Sequence, residues 1–169
     1  MIEIRQTGIT NTQAQAVVNA ANSYLMEGGG VCGVIFRAAG ADRLQEACNA
    51  IGGCPTGNAV ITSGFDLCPY IIHAVGPIYR DGKHNEEEEL YSCYTSVLDL
   101  ALERSISSIA FPLISAGIYG YPAEKAWKTA LKACKEWMNK HRDYDIHIIF
   151  TIPEEHKYQM GLEIMKQVL

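Results

Sequence analysis

The chain is short of positive charge. Fourteen lysines and arginines stand against nineteen aspartates and glutamates, a formal net charge of -5 over 169 residues. Proteins that grip a nucleic-acid backbone carry a basic face, so no nucleic-acid partner is expected. Phosphate recognition, if it occurs, has to come from local backbone dipoles, which suits a small ligand. No apolar run approaches the ~20 residues needed to cross a bilayer, so no membrane partner is expected. None of the six cysteines forms a C-x-x-C pair, and the N-terminus alternates like a strand rather than reading as a secretory leader. The expectation is reduced thiols in a cytoplasmic protein. Internal repeats, low-complexity linkers and breaks in composition are absent, so residues 1–169 are expected to form a single domain, and a monomer. There is no G-x-S-x-G, and no spacing that fits a metal site. Neither a metal nor a cofactor is expected.

What the chain does have is glycine in useful places. In AVVNAANSYLMEGGGVCGVIFRAAG, Ala16 to Gly40, a short apolar run ends in Asn19-Ala20-Ala21-Asn22. Gly28, Gly29 and Gly30 follow, and the pattern turns helical after Gly33. Strand, glycine loop and helix start together present bare N–H groups to an anion. A second junction of this kind lies in IAFPLISAGIYGY, Ile109 to Tyr121. Two such loops on one small domain suit a diphosphate better than a single phosphate.

Periodicity supplies the frame. Strands are expected at Ile2 to Ile4, Val17 to Val18, Asn58 to Thr62, Tyr70 to Val75, Ile106 to Ile114 and Ile146 to Ile152. Helices are expected from Val31 to Ala50, with Gly40 a candidate break, from about Asn85 to Arg104, from Pro122 to Lys140, and from Glu154 to Leu169. Asn85 with Glu88 has the form of a capping box. Alternation of strands and helices argues an α/β protein with a mostly parallel or mixed sheet between helix layers. Ligands of such sheets sit beyond the carboxyl ends of the strands. Both glycine loops follow strands.

The familiar phosphate motifs fail. Gly28 to Gly33 matches G-x-G-x-x-G literally, but it lies too far beyond its strand, and Gly52-Gly53-Cys54 occupies the place of the acidic ribose ligand. Val34 stands where a P-loop needs lysine. Asn19 and Asn22 can each be a turn cap; Asn22, just before a glycine loop, can also bind sugar hydroxyls as donor and acceptor. Tyr119 can pack on its own loop or wall off a ribose. Glu86 to Glu89 read as a solvated first turn of a helix. His73, inside an apolar strand, reads as a hydrogen-bonded core histidine, and Trp127 and Trp137 as packing residues. His84, His141, His147 and His156 show no ligand spacing.

The blocks VVNAANSYLMEGGGVCG, CPTGNAVIT, YIIHAVGP and IAFPLISAGIYGYP, in this order, resemble the macrodomain family, and most closely its MacroD-type ADP-ribosyl hydrolases and bacterial O-acetyl-ADP-ribose deacetylases. The resemblance runs along nearly the whole chain. It implies a three-layer α/β/α sandwich that binds ADP-ribose at the sheet's carboxyl edge. It places Gly28, Gly29, Gly30, Val31, Cys32 and Gly33 in a first loop around the distal ribose and diphosphate, with Val34 also among the ligand-binding residues. Ser115, Ala116, Gly117, Ile118 and Tyr119 form the second loop, with Tyr119 over the distal ribose. Asn22 would orient the scissile bond. Gly8 and Ile9 would lie near the adenine, and Pro77 and Ile152 would complete the site. The implied catalytic group is Asn22, Cys32 and Tyr119, and the implied partners are ADP-ribose, ADP-ribosylated protein or O-acetyl-ADP-ribose.

This sequence departs from the family pattern at three places. Cys32 replaces an aspartate proposed to activate water. Thr7-Gly8-Ile9-Thr10 replaces G-D-I-T, whose aspartate accepts from the adenine amino group. Ile152-Pro153 replaces an adenine-stacking aromatic. A thiol is a poor general base, and a lost base costs about 10² to 10⁴ in rate. The expectation is therefore hydrolysis of ADP-ribose esters by water that the substrate's own diphosphate activates. The alternative is a non-catalytic reader of ADP-ribose.

Overall fold

The computed structural model describes residues 1–169. Its elements are β1 (Ile2–Arg5), β2 (Ala16–Ala20), α1 (Gly30–Ala39), α2 (Ala41–Ile51), β3 (Ala59–Ser63), β4 (Tyr70–Ala74), α3 (Glu86–Glu103), β5 (Ser108–Phe111), α4 (Ala123–Lys140), β6 (His147–Thr151) and α5 (Glu155–Val168). A 3-10 turn at Ile9–Asn11 joins β1 to β2. The six strands run in the order β1-β6-β5-β2-β4-β3. Every pairing is parallel except β3 with β4, which is antiparallel. No helix is long and apolar enough to cross a membrane.

The strands are apolar on both faces because helices cover both. Side chains alternate along each strand, so Val18, Ile72, Phe111 and Phe150 join one core with Leu90 of α3 and Trp127 of α4. Val17, Ile71 and Ala110 point the other way, to Ile35 and Phe36 of α1 and Leu44 of α2. This is the expected three-layer α/β/α sandwich with a mixed, mostly parallel sheet. The larger core is aromatic at its centre: Phe111 and Phe150 stack with centroids 5.5 Å apart, and Trp127 meets Phe150 edge-on at 5.3 Å. Trp127 and Trp137 pack as expected, and each indole N–H has an acceptor, Lys157 O for the first and Asp99 Oδ1 for the second. All six cysteines are free thiols.

Gly40, the candidate break, does divide the helix expected over 31–50 into α1 and α2, at φ 105°. Other local expectations are corrected. The strand expected over 106–114 is confined to β5, because Pro112 offers no N–H for a ladder and Ile114 N–H donates to the Tyr94 hydroxyl instead. The capping box at Asn85 does not form: Asn85 sits at φ 62° and caps nothing with its side chain.

Glu86 is not solvated either. Its side chain is buried and folds back on the preceding loop. One carboxylate oxygen accepts from Arg80, Asp81 and Gly82 N–H, and the other from His84 N–H. Burial works to raise its pKa, but the four N–H bonds outweigh that and hold it down to about 2. Asp81, His84 and Glu86 thus bring ligand atoms within 4.8 Å of one another. That proximity is explained by Glu86 organising the loop, and by the Asp81–His84 contact of 2.8 Å.

Candidate functional site

β2 and β5 are neighbours in the sheet, so the chain leaving each one meets the other at the carboxyl edge. Between the two exits lies a cavity of about 350 Å³, a size suited to a small-molecule ligand. The first glycine loop forms one wall and the second the opposite wall.

The first wall is a helix start. Gly29 and Gly30 open α1 with no side-chain cap, which leaves the first-turn N–H groups without intrahelical partners and at the positive end of the dipole. Gly30 eases a left-handed turn that costs most other residues energy, and Gly33 is required by contact. Gly30 has φ 58°, and a Cβ on Gly33 would lie 2.7 Å from the Gly28 carbonyl oxygen. Upstream, Asn22 closes the loop into a ring. Its Nδ2 donates to Met26 O at 2.9 Å, and Met26 N–H donates to its Oδ1 at 3.1 Å. Leu25, buried to 1% exposure, anchors the ring to the core at φ 58°.

The second wall is held from behind. Ser115 adopts φ 68°, and its hydroxyl donates to Pro77 O at 2.8 Å. Gly76 has no room for a Cβ, which would meet the Ser115 hydroxyl. Tyr79 N–H donates to Tyr119 O at 2.8 Å, Tyr121 N–H to Ser115 O at 2.9 Å, and Lys157 Nζ to Ala116 O at 3.1 Å. The N–H groups of Gly117, Ile118 and Tyr119 donate to no protein acceptor. Both walls therefore present unused backbone donors. The cavity lining contains no lysine or arginine; its one charged side chain is Glu154.

Of the residues expected from the sequence, Asn22, Gly28, Gly29, Gly30, Val31, Cys32, Ser115, Gly117, Ile118 and Tyr119 line this cavity. The other seven do not. Gly33 lies beneath the first loop, and Val34 points outward, 40% exposed. Pro77 and Ala116 stand behind the second loop as carbonyl acceptors. Ile152 is buried in the larger core, and Ile9 in the smaller one. Gly8 precedes the 3-10 turn, away from the cavity wall. Ala20, Pro112, Leu113 and Glu154 line the cavity without having been expected. The signal for them was positional: Ala20 ends β2, and Pro112, Leu113 and Glu154 closely follow the ends of β5 and β6, at the edge where the glycine loops lie.

Cys32 faces the cavity at 7% exposure and is bound from behind. Its sulfur accepts from Asn19 Nδ2 at 3.7 Å, and its S–H donates to Met26 O at 3.8 Å. Cys48 lies near it, its own thiol pushed up to about 11, chiefly by burial.

An α/β/α sandwich whose sheet edge carries two opposed, uncapped N–H arrays defines a small-anion-binding domain. The Macro domain family model matches residues 18–130, and the chain belongs to that family. Macro domain-containing protein lmo2759 of Listeria monocytogenes is 50% identical over 149 residues, covering 86% of this chain and 85% of that protein. ADP-ribose glycohydrolase MACROD2 of Xenopus laevis is 50% identical over 146 residues, covering 85% of this chain but 35% of that longer protein. A solved Oceanobacillus iheyensis macrodomain with ADP superposes with a TM-score of 0.91 at 37% identity, covering 98% of this chain and 90% of that one. A Trypanosoma brucei macrodomain in complex with ADP-ribose gives 0.89 at 35% identity, covering 96% of this chain and 68% of that one.

Proposed function

We propose that this chain binds ADP-ribose between the two glycine loops and hydrolyses ADP-ribose esters. Its substrates are ADP-ribosyl-aspartate or -glutamate on proteins, or O-acetyl-ADP-ribose. The observation that carries this reading is the pair of opposed backbone N–H arrays in a cavity without a cationic side chain. A diphosphate matches them: two phosphates, two walls, and charge stabilised by fixed dipoles. The relatives named above, one a glycohydrolase and two solved with ADP or ADP-ribose, support the ligand class.

Asn22 stands where its carboxamide meets the distal ribose and orients the scissile linkage. Tyr119 packs over that ribose. Cys32 supplies no carboxylate, so the base is a diphosphate oxygen of the substrate. Water gives that oxygen a proton, its hydroxyl adds to the carbon of the scissile ester linkage, and the C–O bond of the leaving group breaks. A second reading, a reader that binds without cleaving, draws on the cysteine at position 32. Release of ADP-ribose from aspartate- or glutamate-modified protein separates the two. Turnover by the wild type and its loss in Asn22→Ala support the hydrolase; saturable binding with no release supports the reader.

A further inference from the structure

Three neighbouring strands each place one polar side chain on a face that is otherwise apolar. On β2, Asn19 shares its side with Val17; on β4, His73 shares its side with Ile71; on β3, Thr62 shares its side with Val60. Asn19 and His73 are register partners in adjacent strands. Their exposures are 1% and 0%, and that of Thr62 is 9%. Buried polar groups at this depth cost free energy unless they are paired, and these are paired with one another.

The protons can be placed without conflict. The Thr62 hydroxyl donates to Ser63 O at 2.9 Å and accepts from His73 Nε2 at 3.0 Å, and the same Nε2 has Cys48 Sγ at 3.8 Å as a second, more distant acceptor. His73 Nδ1 is then bare and accepts from Asn19 Nδ2 at 3.1 Å. The second hydrogen on Asn19 Nδ2 points to Cys32 Sγ. Cys32 S–H turns to Met26 O, the same carbonyl that receives Asn22 Nδ2. Asn19 Oδ1 is left buried with no partner. A carboxamide that leaves its oxygen unsatisfied is held by what its N–H groups do.

We infer that Asn19 and His73 are positioning residues for the cleft: through this chain they fix the Cys32 side chain and, by way of the Met26 carbonyl, the carboxamide of Asn22. What is positioned rests on the hydrolase reading; the hydrogen-bond chain does not. Cys32 is thereby held from both sides, as acceptor from Asn19 Nδ2 and as donor to Met26 O. The donor aimed at position 32 would hold any acceptor placed there.

The test combines histidine 15N NMR on the ligand-free full chain with kinetics. Wild-type His73 should show one tautomer, protonated at Nε2 and bare at Nδ1. The ionised carboxylate of Asn19→Asp only accepts, so a proton is drawn to His73 Nδ1. Its kcat for ADP-ribose release should fall about tenfold or more, while ADP-ribose Kd changes less than about threefold. Should Asn19→Asp fail to fold, Thr62→Val removes the nearer Nε2–H acceptor and leaves only Cys48 Sγ at 3.8 Å, and should raise the Nδ1–H population and lower kcat. A wild-type His73 protonated at Nδ1 overturns the inference. So does a variant that switches tautomer yet keeps kcat within about twofold. A wild type that binds ADP-ribose without releasing it sinks the hydrolase reading alone, and the tautomer then decides the chain by itself.

Discussion

Asn22 and Met26 exchange two hydrogen bonds, side-chain amide to carbonyl at 2.9 Å and amide N–H to side-chain oxygen at 3.1 Å. The pair pre-forms the loop that precedes the glycines, and it occupies both ends of the carboxamide that the proposed mechanism uses. A ribose hydroxyl must share or replace one of these bonds. Asn22→Ala should therefore lower ester hydrolysis by about 10²-fold or more, because an orienting contact is lost. ADP-ribose affinity should fall by less than about tenfold, because the diphosphate contacts come from backbone. Release kinetics beside calorimetry check the split.

Cys32 faces the cleft with an N–H donor from Asn19 aimed at its sulfur. Cys32→Asp puts a carboxylate in that place, with a donor waiting to orient it and room for water in front. If water activation limits the reaction, the rate should rise about tenfold or more, within the range a positioned base contributes. An unchanged rate in Cys32→Asp, with Asn22→Ala inactive, would assign the base to the substrate diphosphate.

Gly33 is fixed by contact rather than by dihedral angle. A Cβ there would lie 2.7 Å from the Gly28 carbonyl oxygen and 3.1 Å from the Arg37 guanidinium. Gly33→Ala should push the first loop away from α1. Overpacking of this kind costs about 1–3 kcal/mol, read as a lower urea midpoint, and ADP-ribose affinity should fall with it. Gly29→Ala meets nothing within 4 Å but places alanine at the N-cap of α1, and should cost stability less than Gly33→Ala, about 1 kcal/mol or below.

His73 gives the fold a pH dependence. Burial lowers its pKa to about 4, from the ordinary 6.5. As pH falls below 6.5, the unfolded chain takes up a proton that the folded chain refuses. Stability is therefore full above 6.5 and is lost progressively down to about 4. The loss is on the order of 3 kcal/mol. Asn19, Thr62 and Cys48, all uncharged, are its polar neighbours. Urea unfolding at pH 7 and at pH 4.5 should show a drop in wild type that His73→Gln largely removes.

Local features were legible in the sequence and long-range ones were not. The continuous apolar run Ala16-Val17-Val18 shows a strand, and the glycine runs show both loops, since each signal lies within a few residues. The break at Gly40 could be anticipated because glycine tolerates the φ of 105° found there. The partnership of Asn19 with His73 spans 54 positions, and nothing in NAAN indicates which strand lies alongside. Glu154 reaches the cavity only because β6 ends at the same sheet edge as β2. Glu86 was hidden by its company: in a run of four glutamates, composition says solvated, and only the path of the preceding loop turns one of them inward. Pro77 and Ala116 belong to the second loop's support, a distinction between wall and backing that spacing does not carry.

The central claim is that backbone amides of the two loops hold the diphosphate of ADP-ribose. Titration of 15N-labelled protein with ADP-ribose, followed by amide resonances, tests it most directly. The account predicts saturable shifts concentrated at residues 28–33 and 115–119, with Asn22 side-chain amide signals moving alongside. Unmoved loop resonances at millimolar ADP-ribose, or shifts confined to another part of the surface, would contradict it.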